Sequence, residues 1–475
     1  MIVAAIMMFR DSQPFSNPLI QKRVNPIGRT HMPKPLVAIE KYHQPFESVR
    51  QTVELARGLT HLPKGVRVFI KPNIVFWTRS VSFPKWGVIT TTRVVEDMVK
   101  LLKDKGVDDI VIGEGTVTMD PQDTATLADA FEKLGYRSLE KRYGVRCINI
   151  FERPFRKVDL GDDVSLRFNV DALDSDLIVD LPTMKTHNQT IVSLGIKNLK
   201  GLIDINSRKK CHSADPQKDL HFMVARLADR LPPVFTLIDG IYTLERGPAF
   251  DGKMHRSDLL VASNDFLAAD LVGARLLGFD PSQVPHLVHA ANNHARAADL
   301  ASLETVGLPV EEVALSHRYD FEWGTKGGDE LPLPLVKMGI QGVSYPKYDL
   351  SMCTYCSYLN GVIITAIRFA WQGDPWDDVE ILTGKQMQPT PGKKKTILLG
   401  KCMHKAHKDN PDIQEMIPVK GCPAKMKDVV KALHRAGINV DPALFENFDQ
   451  LPGFFLSRYQ GKKEFAESFF SVSET

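Results

Sequence analysis

The chain is expected to be an α/β protein whose mainly parallel sheet is covered by helices, with a smaller irregular C-terminal region attached. Two observations lead there. Short, almost uninterrupted apolar runs recur at residues 66–70 (VRVFI), 109–112 (DIVI), 177–181 (LIVDL) and 259–262 (LLVA). Between them lie helical segments with an apolar stripe, 94–105, 127–134 and 266–277, ended by Gly106, Gly135 and Gly278. Strands with apolar residues on both sides need cover on both faces, and parallel strands need a crossover between them.

The first strand, 66–70, runs into Lys71-Pro72-Asn73. Proline cannot donate to a ladder, which sets Lys71 and Asn73 at the C-terminal edge of that strand. A loop with Trp77 and Trp86 follows, and Thr90-Thr91-Thr92 introduces the helix that Gly106 stops. Strand 109–112 leads into Gly113-Glu114-Gly115-Thr116. A helix over 127–134 and a strand over 145–150 come next, then strand 177–181 ending at Pro182. Strand 235–238 ends in Asp239-Gly240, and strand 259–262 feeds the helix 266–277. Beyond about residue 335 the alternation fades, and only 425–436 (KMKDVVKALHRA) reads as a clear amphipathic helix.

At 475 residues the chain is too long for one ordinary domain. The organisation expected is an irregular arm over 1–35, an α/β domain over 36–335, a cysteine-containing domain over 336–440 and an aromatic tail over 441–475. The balance of 43% hydrophobic and 25% charged residues is that of a chain able to bury a core. A net charge of +3 is too small for a dedicated nucleic-acid binder. The apolar start, residues 1–9, precedes its first basic residue, Arg10, which is the reverse of a secretory signal. No apolar run reaches the ~18 residues of a membrane span. These features read as cytoplasmic.

Four of the six cysteines, Cys353, Cys356, Cys402 and Cys422, fall in the C-terminal stretch; Cys147 and Cys211 lie far from them. Clustered thiols in a reducing compartment point to metal rather than disulfides. Cys353-Thr-Tyr-Cys356 puts two thiolates on one turn, and Gly421-Cys422-Pro423 sets a third before a helix. Four thiolates suit a cubane 4Fe-4S cluster or a structural zinc ion. The wide split of the second pair favours the cluster, because a zinc ribbon has two closely spaced knuckles. His404 and His407 leave a mixed zinc site open, and plain buried thiols are the bland alternative.

A second group of residues follows strand 177–181. Lys185 and His187 lie in the loop, and Lys197, Asn198 and Lys200 lie on an expected helix over 191–202, capped by Asn188 or Thr190. Ligands of parallel sheets bind outside the carboxyl ends of strands, where helix N-termini favour anions. Lys71 and Asn73 can converge on that edge, with Glu114, Asp239 and Glu245 to balance charge. Lys185 and His187 are the candidate catalytic residues, since an imidazole can exchange a proton near neutral pH. The competing reading is a solvated lysine face beside an ordinary helix cap.

These residues also carry a family resemblance. Lys71-Pro72-Asn73, Gly113-Glu114-Gly115, the run 182–201 (PTMKTHNQTIVSLGIKNLKG), Asp239-Gly240 and Gly247-Pro248 occur in this order. Asp265, Ala268-Ala269-Asp270 and Leu277-Gly278-Phe279-Asp280-Pro281 continue it. Over roughly residues 35–309 the chain closely resembles the family catalogued as domain of unknown function 362. Several members carry cysteine-ligated iron–sulfur centres, so the resemblance implies redox chemistry and makes the basic loop a site, without naming a substrate. The repeated close cysteines of a two-cluster ferredoxin insert are missing.

The function expected is therefore an iron–sulfur redox protein, an oxidoreductase or electron-transfer protein. One cluster would serve a small anionic ligand or an electron-transfer partner protein. The alternatives are a non-redox anion-binding protein or enzyme with structural zinc, and an assembly factor that binds partners through its aromatic tail. No glycine-rich dinucleotide fingerprint or P-loop is present to support nucleotide binding.

Overall fold

The computed structural model describes residues 34–60, 62–120 and 122–473. The apolar start and the arm expected over 1–35, except its last two residues, lie outside the described residues.

The central sheet has ten strands. In chain order they begin with β1 (Leu36–Lys41), β2 (Arg67–Pro72), β3 (Asp109–Glu114) and β4 (Arg146–Asn149). A separate hairpin, β5 (Phe155–Asp159) and β6 (Ser165–Asn169), comes next. The sheet resumes with β7 (Leu177–Leu181), β8 (Thr183–His187), β9 (Ile191–Ser193), β10 (Val234–Glu245), β11 (Lys253–Ser263) and β12 (Glu304–Gly307). The order is β12-β1-β11-β10-β7-β2-β3-β4, with β8 on β10 and β9 on β8. Pairing is parallel from β10 through β4 and between β1 and β12, while β11 is antiparallel to both its neighbours.

The unbroken apolar runs have a direct cause. In β2, Val68 and Ile70 face one core and Phe69 the other; in β3, Ile110 and Ile112 oppose Val111 in the same way. Each face is roofed by helices, Thr92–Asp104 and Ala125–Lys133 on one, Phe266–Leu276 and Pro285–Asn293 on the other. A strand covered on both sides buries every side chain, each worth about 1.5–3 kcal/mol.

Three local expectations change. Pro72 does not end pairing before it: it is the last residue of β2, opposite Leu181, so Lys71 stands inside the ladder, opposite Asp180. A proline is tolerated there because its missing N–H comes at the strand's final position. The strand expected over 235–238 runs on to Glu245 because it pairs with the whole of β11, a non-local partner. The C-terminal region is more regular than expected. After a small hairpin, β13 (Trp323–Lys326) and β14 (Asp329–Pro332), it forms a second, wholly parallel sheet. Its strands are β15 (Val343–Ser344), β16 (Val379–Leu382), β17 (Lys395–Leu399) and β18 (Glu415–Val419). The helices Thr354–Ala370 and Met426–Ala436 share its core, where Leu359, Ile363, Ile367, Val429 and Leu433 are buried.

The aromatic tail packs on the first sheet. Phe465 lies 5.3 Å from Trp86 and 4.8 Å from Tyr459, ring centre to ring centre. The indole of Trp86 donates to Ala466 O (3.3 Å), and Ser473 donates its N–H to Glu96 (2.7 Å). Among the described residues no helix is long and apolar enough to cross a membrane.

Candidate functional site

The carboxyl ends of β2, β3 and β7 meet in a buried ionic lattice. Lys71 is fully buried and paired with Glu114, which also accepts the N–H groups of Ile74 (3.0 Å) and Gly115 (3.2 Å). Burial holds the Lys71 ammonium below its ordinary pKa, against the pull of Glu114. Gly201 lies directly over this pair. A Cβ there would stand 2.5 Å from Lys71 Cε and 2.7 Å from Nζ, so only glycine lets the segment close down. Asn198 donates to Asp180 (2.8 Å) and Lys71 O (3.2 Å), and accepts from Asn73 (2.9 Å). Asn73 in turn accepts from Lys185 Nζ (3.0 Å), whose other partner is Val88 O (3.0 Å). Lys71, Asn73, Glu114, Lys185 and Asn198 thus form one connected network.

The segment expected as a helix over 191–202 is instead a hairpin followed by a short helix. Ile191 pairs with His187, leaving Asn188, Gln189 and Thr190 as a tight loop, and the helix Gly195–Asn198 continues into a 3-10 turn over Leu199–Leu202. The β-branched pair Ile191-Val192 finds β8 as a partner, which overrides the helical spacing further on. Ile191 adopts φ 66°, a conformation costly for a β-branched residue and found where surrounding structure imposes it.

Lys197 and Lys200, three residues apart, remain on one side of this segment. Among the described residues no carboxylate forms an ion pair with Lys185, Lys197 or Lys200. Burial depresses all three: Lys185 to about 7, Lys200 to about 8, and Lys197 well below the usual lysine value, with Lys200 and Lys185 pushing it further down. His187 is held far below 6.5 by burial and then by Lys197, Lys200 and Lys185. Its Nδ1 accepts the N–H of Gln189 (3.0 Å), which leaves the proton of the neutral ring on Nε2 as a donor. The arrangement is a concentration of cations that burial penalises until an anion joins them.

Asp239 is not part of this group. Its carboxylate accepts the N–H of Thr91 (2.7 Å) at the start of the helix Thr92–Asp104 and that of Ile241 (3.1 Å), so it balances a helix end rather than the lysines. Burial raises it to about 6. Glu245 lies on another part of the surface, bonded to His255 (3.1 Å).

The four C-terminal cysteines come from three places that converge. Cys353 precedes the helix Thr354–Ala370 and Cys356 lies in its first turn. Cys402 begins the helix after β17, and Cys422 follows β18. Gly400 donates to Val419 O (2.8 Å) and Lys401 to Gly421 O (3.0 Å), which sets the chains carrying Cys402 and Cys422 side by side. A Cβ on Gly400 would stand 3.4 Å from Cys356 Sγ. Cys402 acts on the titration of Cys356, and Cys353 and Cys402 on that of Cys422, which burial has already raised. Cys353 is drawn down to about 5, first by a hydrogen bond from Cys356, with burial opposing and the amides of Cys356 and Tyr355 assisting. No three of these sulfurs lie within 4.8 Å of one another. A tetrahedral zinc with bonds near 2.3 Å needs its sulfurs only about 3.8 Å apart.

The two groups adjoin. Gln189, in the loop after His187, donates to Asp349 O (2.9 Å) and Met352 O (3.0 Å), just before Cys353. His212 Nδ1 bonds Leu350 O (3.0 Å), so its Nε2 is the acceptor for Lys200 Nζ (2.8 Å). Tyr358 donates to Val117 O (2.7 Å), tying the cysteine helix to the loop after β3. Cys147 is buried away from this junction, Cys211 is buried beside His212 and within electrostatic reach of Lys197 and Lys200, and His407 bonds Met387 O (2.8 Å).

Sequence reasoning missed Arg208, His212 and Lys385. Arg208 donates to Gly115 O and Gly201 O (both 2.7 Å), clamping the loop after β3 to the glycine above Lys71. Lys385 donates to Lys209 O (3.0 Å) and to His212 O. Lys385 had a signal, since it follows the carboxyl end of β16; Arg208 and His212 lay within a charged run (SRKKCH) that resembles any solvated face.

Residues 68–275 match the family described as a domain of unknown function, DUF362. The match is narrower than the resemblance read over 35–309 and covers less than half of the chain. It takes in Lys71, Glu114, Lys185, His187, Lys197 and Lys200 and stops short of the four C-terminal cysteines. A thylakoid-associated protein of Synechocystis sp. is 27% identical over 241 residues, which are 50% of this chain and 71% of that protein. Among solved structures, the lactate racemase apoprotein from Thermoanaerobacterium thermosaccharolyticum matches with 14% identity and a TM-score of 0.35. That alignment covers 53% of this chain and 57% of the other, so the chain spans little more than half of that structure's length.

Proposed function

We propose that this chain is an iron–sulfur redox protein that acts on a small oxyanion. In this reading Cys353, Cys356, Cys402 and Cys422 hold one 4Fe-4S cluster, and Lys185, Lys197 and Lys200 bind the anion beside it. The cluster supplies one-electron chemistry when bound. The observation that carries the reading is the junction between the groups: the loop before Cys353 is bonded to Gln189, next to His187, and through Leu350 to His212, the partner of Lys200.

The residues of the chain have separable tasks. Lys197, which among the described residues has no counter-ion, offers its charge to the ligand, and Lys200 is bonded to His212. Lys185, brought to about 7 by burial, can hold or release a proton at Nζ near neutral pH, and His187 offers the Nε2 hydrogen. Lys71, Asn73, Glu114 and Asn198 are bonded among themselves and keep Lys185 in position. An electron-transfer partner protein belongs to the same proposal.

The test is a thermal-shift screen of carboxylates and phosphates on wild type and on Lys185→Ala, His187→Ala and Lys200→Ala. An anion is expected to stabilise wild type, and Lys185→Ala to weaken its binding by about 1.5–3 kcal/mol, the range of a charged hydrogen bond. Equal stabilisation of all four proteins would show that the anion binds elsewhere.

A further inference from the structure

A second group of candidate ligands lies away from the cysteines. Glu245 at the end of β10, His255 in β11 and His317 in the stretch before β13 each bring one ligand atom within 4.8 Å of the others. His255 Nε2 is 3.1 Å from Glu245 Oε2, and the two imidazole rings lie 4.7 Å apart at an angle of 29°. Thr243, opposite His255 across the strands, bonds His317 Nε2 through its hydroxyl (2.9 Å) and so helps to fix that ring. Two imidazoles and one carboxylate form a donor set suited to a divalent transition metal that keeps positions open for other ligands.

His255 also lines a cavity of about 750 Å³ whose wall includes Arg246, Lys253 and Lys462, together with the acidic Asp251 and Glu464, which its basic residues outnumber. Among the described residues these three cations have no carboxylate partner. Arg256 and Arg318, by contrast, are neutralised by Asp258 (2.5 Å) and Glu322 (2.9 Å). The Nε atom of Arg246 is buried without a hydrogen-bond partner, while its guanidinium covers the ring of Phe321 at 5.4 Å. A divalent ion with one carboxylate ligand leaves one positive charge, and the cavity adds more. Such a site calls for a negative occupant.

We propose that Glu245, His255 and His317 bind a divalent transition-metal ion, and that the adjoining basic cavity holds a small oxyanion that completes its coordination. The site stands apart from the proposed cluster. Its two imidazoles and carboxylate are carried by the antiparallel β10–β11 pair and the stretch before β13, which no cysteine enters.

Manganese(II) is the probe, because thiolates are poor ligands for it while imidazole and carboxylate accept it. Titration of the full chain, followed by loss of the free aqua-ion signal in electron paramagnetic resonance, is expected to give one bound ion per chain. Binding should persist in Cys353→Ser and Lys185→Ala. It should be lost in His255→Ala, His317→Ala and Glu245→Gln, each of which must first unfold at the wild-type temperature in the absence of metal. Glu245→Gln preserves the side-chain shape and keeps the test open if a histidine variant fails to fold. Inorganic phosphate should tighten manganese binding several-fold in wild type and not in Arg246→Ala. No manganese binding by wild type, or undiminished binding by folded Glu245→Gln, would overturn the metal site. Phosphate without effect on wild type would overturn the role given to the cavity.

Discussion

Lys185 should make the protein more stable as the pH rises from neutral to alkaline. Among the described residues its buried ammonium has no ion pair, and burial brings it from an ordinary value of 10.5 to about 7. Between those two values the unfolded chain keeps a proton that the folded chain has given up, so unfolding binds protons and stability increases with pH. The penalty is fully present below about pH 7 and is relieved as the unfolded lysine also loses its charge near 10.5. A shift of this size corresponds to about 5 kcal/mol at most, and to about 3–4 kcal/mol recovered between pH 7 and 10. The comparison is with Lys185→Met, which retains the stem, loses the bonds to Asn73 and Val88 at every pH, and has no charge to titrate. Urea unfolding followed by circular dichroism at steps across this range should give two diverging curves, with wild type gaining the difference. Parallel curves would refute the reasoning, because they would mean that the Lys185 charge is solvated in the folded protein.

Three further predictions follow from named contacts. Glu114→Gln should cost about 3–5 kcal/mol in urea unfolding by stranding the Lys71 charge, and Lys71→Met in the same chain should recover most of it; a loss below about 1 kcal/mol would contradict the buried pair. Cys353→Ser, Cys356→Ser, Cys402→Ser and Cys422→Ser should each lower the iron content of anaerobically prepared protein, whereas Cys147→Ser and Cys211→Ser should leave it unchanged. Trp86→Ala should cost about 3–5 kcal/mol, because the indole is buried against Tyr459 and Phe465 of the tail; wild-type stability would mean that the tail does not hold the sheet.

The parallel half of the central sheet was legible because both of its faces are buried, which writes β2, β3 and β7 as unbroken apolar runs. The strand β1, the edge strand β12 and the length of β10 depend on partners distant in sequence. The helix Thr354–Ala370 was concealed by its own composition: Val362-Ile363-Ile364-Thr365 is a β-branched run, and packing of Leu359, Ile363 and Ile367 outweighs its modest helix preference. The lysines at the carboxyl ends were visible as residue types, and their burial was not. Lys71 differs from an exposed lysine only through Glu114, which is 43 positions later, and Gly201, further still. Asp239 looked like a partner for those lysines until the amides of Thr91 and Ile241 were seen to occupy it.

The central claim, that four cysteines hold a cluster beside a group of buried lysines, is tested most directly by iron and acid-labile sulfide analysis of protein purified without oxygen. The account predicts about four irons and matching sulfide per chain, with a broad visible absorption that dithionite bleaches. Colourless protein that contains zinc and no sulfide would contradict it.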